Sequence, residues 1–249
     1  MRADQLLVDR GLAASRSQAA RLIAGGLQWR QARKNGDEIP AAAELQLADD
    51  AESRYVSRGG LKLEGALAAA GLSAQGRLCL DVGQSTGGFT DCLLQQGAAR
   101  VVGVDVGHGQ LHERLRADAR VVALEKINAR QLAPAQLAPA GATDFDLIVG
   151  DLSFISLTLV LPALAPLLRG DGDLLMLVKP QFELQPEHIG KGGLVRDPAL
   201  YAKVEARLRQ ACDASGLVVQ HWLDSPIAGG DGNREFFVHA RRVRITPTV

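Results

Sequence analysis

A chain of 249 residues is long enough for one large α/β domain and a small accessory one. Its composition, 47% hydrophobic and 22% charged with a formal net charge of zero, is that of an ordinary globular cytoplasmic protein able to bury a core without help. Cys79, Cys92 and Cys212 are scattered with no C-x-x-C pair, so neither a disulfide framework nor a metal site is expected, and the longest apolar stretch, 157–168, is interrupted by Pro162 and Pro166, which excludes a membrane span.

Residues 1–48 read as a compact α+β unit. Arg2 to Leu12 carries apolar Leu6, Leu7 and Val8 and is closed by Gly11; Ser15 is the expected N-cap of a helix over 16–24, ended by Gly25-Gly26. Short strands follow at 27–29 and 44–47, around a turn signal at 34–37. Residues 1–36 hold seven Arg or Lys against Asp4 and Asp9, the electrostatic footprint of a phosphate-backbone partner, although a solvated helix face can be equally basic. The pattern R-x-D-x-x-L…G-L-x-x-S-R-x-x-A-x-x-L-I resembles the S4 RNA-binding fold. Arg2, Arg16 and Arg21 are the candidate phosphate contacts, with Arg58 further on. Trp29 and Tyr55 are able to stack on bases, or to pack within their own domain.

Residues 49–60 are polar, end in Gly59-Gly60 and mark a linker between the front unit and residues 61–249. Beyond it α and β patterns alternate: helix 61–70, strand 77–82, helix 87–96, strands 100–105, 120–124 and 145–150, helix 157–168, strand 173–178, helix 198–215, and strands 217–223 and 234–241. This order predicts a doubly wound, mostly parallel Rossmann-like sheet, in which ligands bind at the carboxyl ends of the strands. Asp81, Asp105, Asp151 and Lys179 all fall there.

The segment Leu80-Asp81-Val82-Gly83-Gln84-Ser85-Thr86-Gly87-Gly88-Phe89-Thr90 takes an apolar strand through a glycine-rich turn into a helix. Gly83, Gly87 and Gly88 allow the backbone close to a ligand, the helix start offers unpaired N–H groups, and Asp105 at the next strand end is placed to accept ribose hydroxyls. The spacing is not G-x-G-x-x-G, and no P-loop sequence occurs. An acid at position 81 suits the ammonium of an amino-acid-like ligand; S-adenosylmethionine has both an ammonium and a ribose. Ser85, Phe89 and Asp151 complete the expected cofactor site, and Asn128 either approaches the adenine edge or caps its own loop.

Lysines beside carboxylates at buried strand ends are costly unless used, though they also form structural ion pairs. Lys62 on the first helix of the large domain and Glu235 in the last strand are able to join Asp151 and Lys179. These residues, with Ser57-Arg58-Gly59-Gly60-Leu61-Lys62-Leu63, Gly150-Asp151-Leu152-Ser153-Phe154-Ile155-Ser156 and Leu177-Val178-Lys179-Pro180-Gln181-Phe182-Glu183, closely resemble the TlyA family of rRNA 2′-O-methyltransferases, often labelled hemolysins. The resemblance covers nearly the whole chain. It implies an S4 domain joined to an FtsJ-like domain, S-adenosylmethionine as cofactor, cytidine in 16S and/or 23S rRNA as acceptor, and a Lys62-Asp151-Lys179-Glu235 catalytic tetrad. The short front resembles the shorter subgroup, which favours the large-subunit RNA. Gln84 departs from the family, where a smaller residue is expected.

The chemistry is coherent with oxygen as acceptor. A ribose hydroxyl must lose its proton as it attacks the sulfonium methyl group, and Lys179 is the candidate base, with Lys62 positioning the hydroxyl and the two carboxylates holding the lysines. Asp151-Leu152-Ser153-Phe154 lacks the prolines expected for amine methylation, and no cysteine is placed for pyrimidine C5 chemistry. A small-molecule O-methyltransferase, active without the front unit, and a non-catalytic RNA-binding or membrane-active hemolysin are the alternatives.

Overall fold

The computed structural model describes residues 1–13, 16, 19–20, 23, 27–28, 36, 38–40, 46–47, 54–230 and 232–242. In the front unit, helix α1 (Ala3–Asp9) packs Leu6 and Leu7 against Ala13, Ala19, Ile23 and Ile39. Strands β1 (Leu27–Gln28) and β2 (Gln46–Leu47) pair antiparallel, Leu27 opposite Leu47. Ser15, Arg21, Trp29 and most of the expected 16–24 helix and 34–37 turn lie outside the described residues.

The larger unit is built from helix α2 (Gly59–Ala70), strand β3 (Leu78–Val82), helix α3 (Gly88–Gln95), strands β4 (Arg100–Asp105), β5 (Val121–Glu125), β6 (Phe145–Gly150) and β7 (Leu168–Val178), helix α4 (Ala199–Ala214), and strands β8 (Leu217–Asp224) and β9 (Phe236–Arg242). The sheet order is β5-β4-β3-β6-β7-β9-β8. Five strands run parallel and the last two are antiparallel to their neighbours. Strand order reverses at β3, which pairs with both β4 and β6, and this switch point is where a doubly wound sheet opens a crevice.

The near-continuous apolar runs of β3, β4 and β6 are those of strands covered on both faces. Cys79, Val101, Leu147 and Leu175 meet Leu63, Leu67 and Leu93 of α2 and α3 on one face. Leu80, Val102, Ile148 and Leu174 meet Leu161, Leu164 and the Val204, Leu208 and Cys212 stripe of α4 on the other.

Three local expectations are corrected. The 157–168 helix is instead three short turns, Leu157–Leu159, Leu161–Leu164 and Ala165–Leu167, because Pro162 and Pro166 remove helix N–H donors and each fits only a first turn. Strand β9 begins at Phe236, so Glu235 stands just before it. Residues 54–60 do not form a free connector: Tyr55 is buried against Gly60, Val56 N–H donates to Asp91 Oδ2 at 2.9 Å, and Gln95 Nε2 donates to the Arg54 carbonyl. They belong to the larger unit.

Candidate active site

The turn after β3 is shaped by close approaches. Gly83 has φ 82°, and a Cβ there would lie 2.8 Å from the Asp151 carbonyl oxygen, so only glycine lets the ends of β3 and β6 meet. Gly88 opens α3 so near the preceding segment that a Cβ would sit 2.2 Å from Ser57 Oγ. Gly87, between them, caps α3 from the left-handed region. Ser85 is itself at φ 48°, and its N–H donates to Asp105 Oδ2 at 2.8 Å.

Two chambers flank this turn at the carboxyl edge of the sheet. One, of about 180 Å³, is walled by Ser57, Gly83, Gly88, Phe89, Asp151, Ser153 and Lys179 among others. The other, a hollow of only about 10 Å³, is lined by Asp105, Gly107, Leu111 and Glu125, and Gln84 and Ser85 face both. Asp105 is held in place by N–H donors from Ser85 and Gly107, at 2.8 and 2.7 Å. Glu125 Oε1 accepts from Gly109 N–H. Asn128 lines neither chamber: it is exposed and its Oδ1 accepts from Arg130 N–H, capping the turn Ala129–Gln131. The loop-capping alternative is the one the geometry has.

Asp81 lies beneath the turn, with no solvent exposure, and is absent from the chamber walls. Its Oδ2 accepts from Thr90 Oγ1 at 2.6 Å, while its equally buried Oδ1 has no partner. Burial pushes this carboxyl up to about 7 against the Thr90 hydrogen bond, with the charges of Asp151 and Asp105 adding to the rise. An orphaned acceptor beside a cradle that only glycines can form suits a ligand that brings an ammonium.

The four tetrad candidates come together as two pairs. Lys62 Nζ donates to Glu235 Oε2 at 2.5 Å, both side chains being buried. Lys179 Nζ lies 2.6 Å from Asp151 Oδ1, an ion contact out of line for a hydrogen bond, and donates to Ser153 Oγ at 2.9 Å. Burial raises the Glu235 carboxyl despite the Lys62 charge, and Asp151 and Lys179 are near enough to act on it as well. The lysines are therefore each matched by an acid. A cationic ligand meets a cleft with no excess positive charge.

Several participants are given no role by the sequence motifs that contain them. Ser153 is one, and Glu183 is another: it accepts from Ser156 Oγ and Leu157 N–H, tying the loop after Lys179 to the loop after Asp151. Phe154, next to Ser153, is 90% exposed at φ 63°, its ring 5.0 Å from that of Phe182. A bulky residue in the left-handed region, turned outward beside reactive groups, is a signal visible only in three dimensions.

Of the basic candidates, Arg2 and Arg16 both bind Asp4 and hold its carboxyl well below the usual range, chiefly through the Arg2 hydrogen bond. Arg58 Nη2 donates to the Ala228 carbonyl, bracing the start of α2 against the loop before Glu235.

The sheet order, the glycine-walled turn and the lysine–carboxylate pairs at the switch point define an α/β enzyme of the nucleotide-cofactor class. Residues 55–242 match the FtsJ-like methyltransferase profile, and the chain belongs to that family. YqxC of Bacillus subtilis is 46% identical over 241 residues, 96% of this chain and 84% of its own. The 16S/23S rRNA (cytidine-2′-O)-methyltransferase TlyA of Mycobacterium tuberculosis is 45% identical over 243 residues, 96% of this chain and 89% of its own. A solved structure from Streptococcus thermophilus that carries a hemolysin label superposes with a TM-score of 0.77 at 41% identity, covering 100% of this chain and 92% of that one.

Proposed function

We propose that the protein transfers a methyl group from S-adenosylmethionine to the 2′-hydroxyl of cytidine in ribosomal RNA, 23S and/or 16S. The observation that carries this reading is the meeting of Lys62–Glu235 and Lys179–Asp151 beside the glycine-walled chamber. The Mycobacterium relative is named for the same reaction.

When bound, the cofactor supplies an electrophilic methyl group on a sulfonium. Asp105 is placed for the ribose, Gly83 and Gly88 let the backbone close around the ligand, and Asp81 has an acceptor to spare. With the cofactor bound, Lys179 would take the 2′-hydroxyl proton as the oxygen attacks, and the cofactor would supply the methyl group and leave as a neutral thioether. Asp151 and Ser153 hold the Lys179 nitrogen in place and offset the charge it gains. Lys62, fixed by Glu235, donates to the acceptor oxygen and excludes water from that side.

The RNA reaches this site across Phe154, whose exposed ring offers a stacking face to an unpaired base. Arg2 and Arg16, with side chains 54% and 58% exposed, serve the phosphate backbone from the front unit together with Arg21 and Arg58. Among the described residues no helix is long and apolar enough to cross a membrane.

The direct test is transfer of labelled methyl from S-adenosylmethionine to separated 30S and 50S subunits. Label recovered as alkali-resistant 2′-O-methylcytidine is the expected result. Label on a base, or none in either subunit with the cofactor bound, contradicts the reading.

A further inference from the structure

Asp81 is fully buried, yet only half of its carboxylate is satisfied. The Thr90 hydroxyl, also fully buried, has a single proton, and Asp81 Oδ2 receives it at 2.6 Å. Gln84 Nε2, which only donates, gives to Thr90 Oγ1 at 2.8 Å. The chain therefore runs one way, from Gln84 to Thr90 to Asp81. The amide orientation follows from the network: turned over, Gln84 would take the Thr90 proton and cost Asp81 the Thr90 hydroxyl bond.

Gln84 is locked where it is. Its side chain is 6% exposed and fills the space over Gly103, where an added Cβ would lie 2.0 to 2.3 Å from the amide. Glycine in the middle of a strand weakens it, and here the missing side chain makes room for this relay. Gln84 also lines both hollows.

We propose that Gln84 and Thr90 are positioning residues whose one-way chain holds one Asp81 oxygen and leaves the other for the ammonium of the methyl donor, setting cofactor affinity rather than the rate of transfer. The inference rests on the S-adenosylmethionine reading above. Because Asp81 lies under the turn, the ammonium meets Oδ1 directly after a small shift or through one bridging water.

The charged groups around Asp81 set the pH behaviour. Asp151 and Asp105 both oppose its ionisation, and Lys179 is committed to Asp151. Affinity for a ligand bearing an ammonium falls as pH drops through about 7, where burial places this carboxyl.

The test is calorimetric titration of the full chain with S-adenosylhomocysteine and with its desamino analogue, which lacks only the ammonium, between pH 6 and 8.5. Thr90→Val is expected to weaken S-adenosylhomocysteine about tenfold and leave the desamino analogue unchanged, as befits one charged hydrogen bond. Thr90→Ser restores wild-type binding. The acid fall in wild-type affinity moves to higher pH in Thr90→Val and is absent with the desamino analogue. Equal weakening of both ligands would mean that the relay merely shapes the turn, and unchanged affinity in Thr90→Val would overturn it outright. Wild type that binds neither ligand would overturn the cofactor reading, and the relay with it.

Discussion

Two buried charge clusters sit at opposite edges of the same sheet. At the carboxyl edge, Lys179 and Asp151 line a chamber while Lys62, Glu235 and Asp81 are buried, and valences are left over: Asp81 Oδ1 has no partner and the Asp151–Lys179 contact is not a full hydrogen bond. Toward the amino edge, Asp173 accepts from Arg77 at 2.7 Å, Arg241 at 2.6 Å and His239 at 2.8 Å, and His239 Nδ1 meets His221 Nδ1 at 3.0 Å. Burial alone would raise the Asp173 carboxyl, but the bonds from His239, Arg241 and Arg77 hold it far below the usual range. A shifted carboxyl thus occurs in both. What distinguishes the two clusters is the bonding capacity left unsatisfied at the carboxyl edge.

The sharpest way to break this contrast is to remove one acid from each cluster. Asp151→Asn is expected to lower the rate of methyl transfer by roughly 10²–10⁴-fold, the range for loss of organised proton transfer, with the thermal midpoint nearly unchanged. Asp173→Ala is expected to cost about 3 kcal/mol in urea denaturation while activity per folded molecule survives, because a buried acid is lost from three partners, two of which can turn to solvent. Were Asp151→Asn fully active, or Asp173→Ala folded but inactive, the roles of the two edges would be exchanged.

Acid titration sharpens it further. Since the folded Asp173 carboxyl is depressed, its contribution is complete above the unfolded value of about 4 and is lost as pH falls below that. The urea midpoint of wild type should drop between pH 5 and pH 3, and more shallowly in Asp173→Asn. Identical slopes would show that the cluster adds nothing. The smallest effect is expected for Phe154→Ala: at 90% exposure the ring supports no core, so stability holds while KM for RNA rises about tenfold and kcat stays. A loss of kcat without a change in KM would remove Phe154 from RNA binding.

The sheet could be read from sequence because β3, β4 and β6 are apolar runs that stop at Gly or Asp, and those stops are the site. Pro162 and Pro166 were visible too, but apolar periodicity over 157–168 concealed that each proline restarts a separate turn. Pairing was the part beyond reach. Lys62 and Glu235 lie 173 positions apart, and nothing in either segment says that they touch. The Asp173 cluster gathers side chains from β7, β8, β9 and the approach to β3, with no motif to announce it. Gln84 stood out as an unexpected bulky residue in a turn of small ones; its use became legible only with Gly103 beneath it and Thr90 beside it.

The central claim is that Lys179 acts as a base and not as a fixed charge. Lys179→Arg keeps the positive charge beside Asp151 but cannot accept a proton near neutral pH. Single-turnover transfer of labelled methyl to 50S and 30S subunits by this variant, with cofactor affinity measured alongside, decides the matter. Wild-type affinity with transfer lost is the result the account predicts; transfer at the wild-type rate would contradict it.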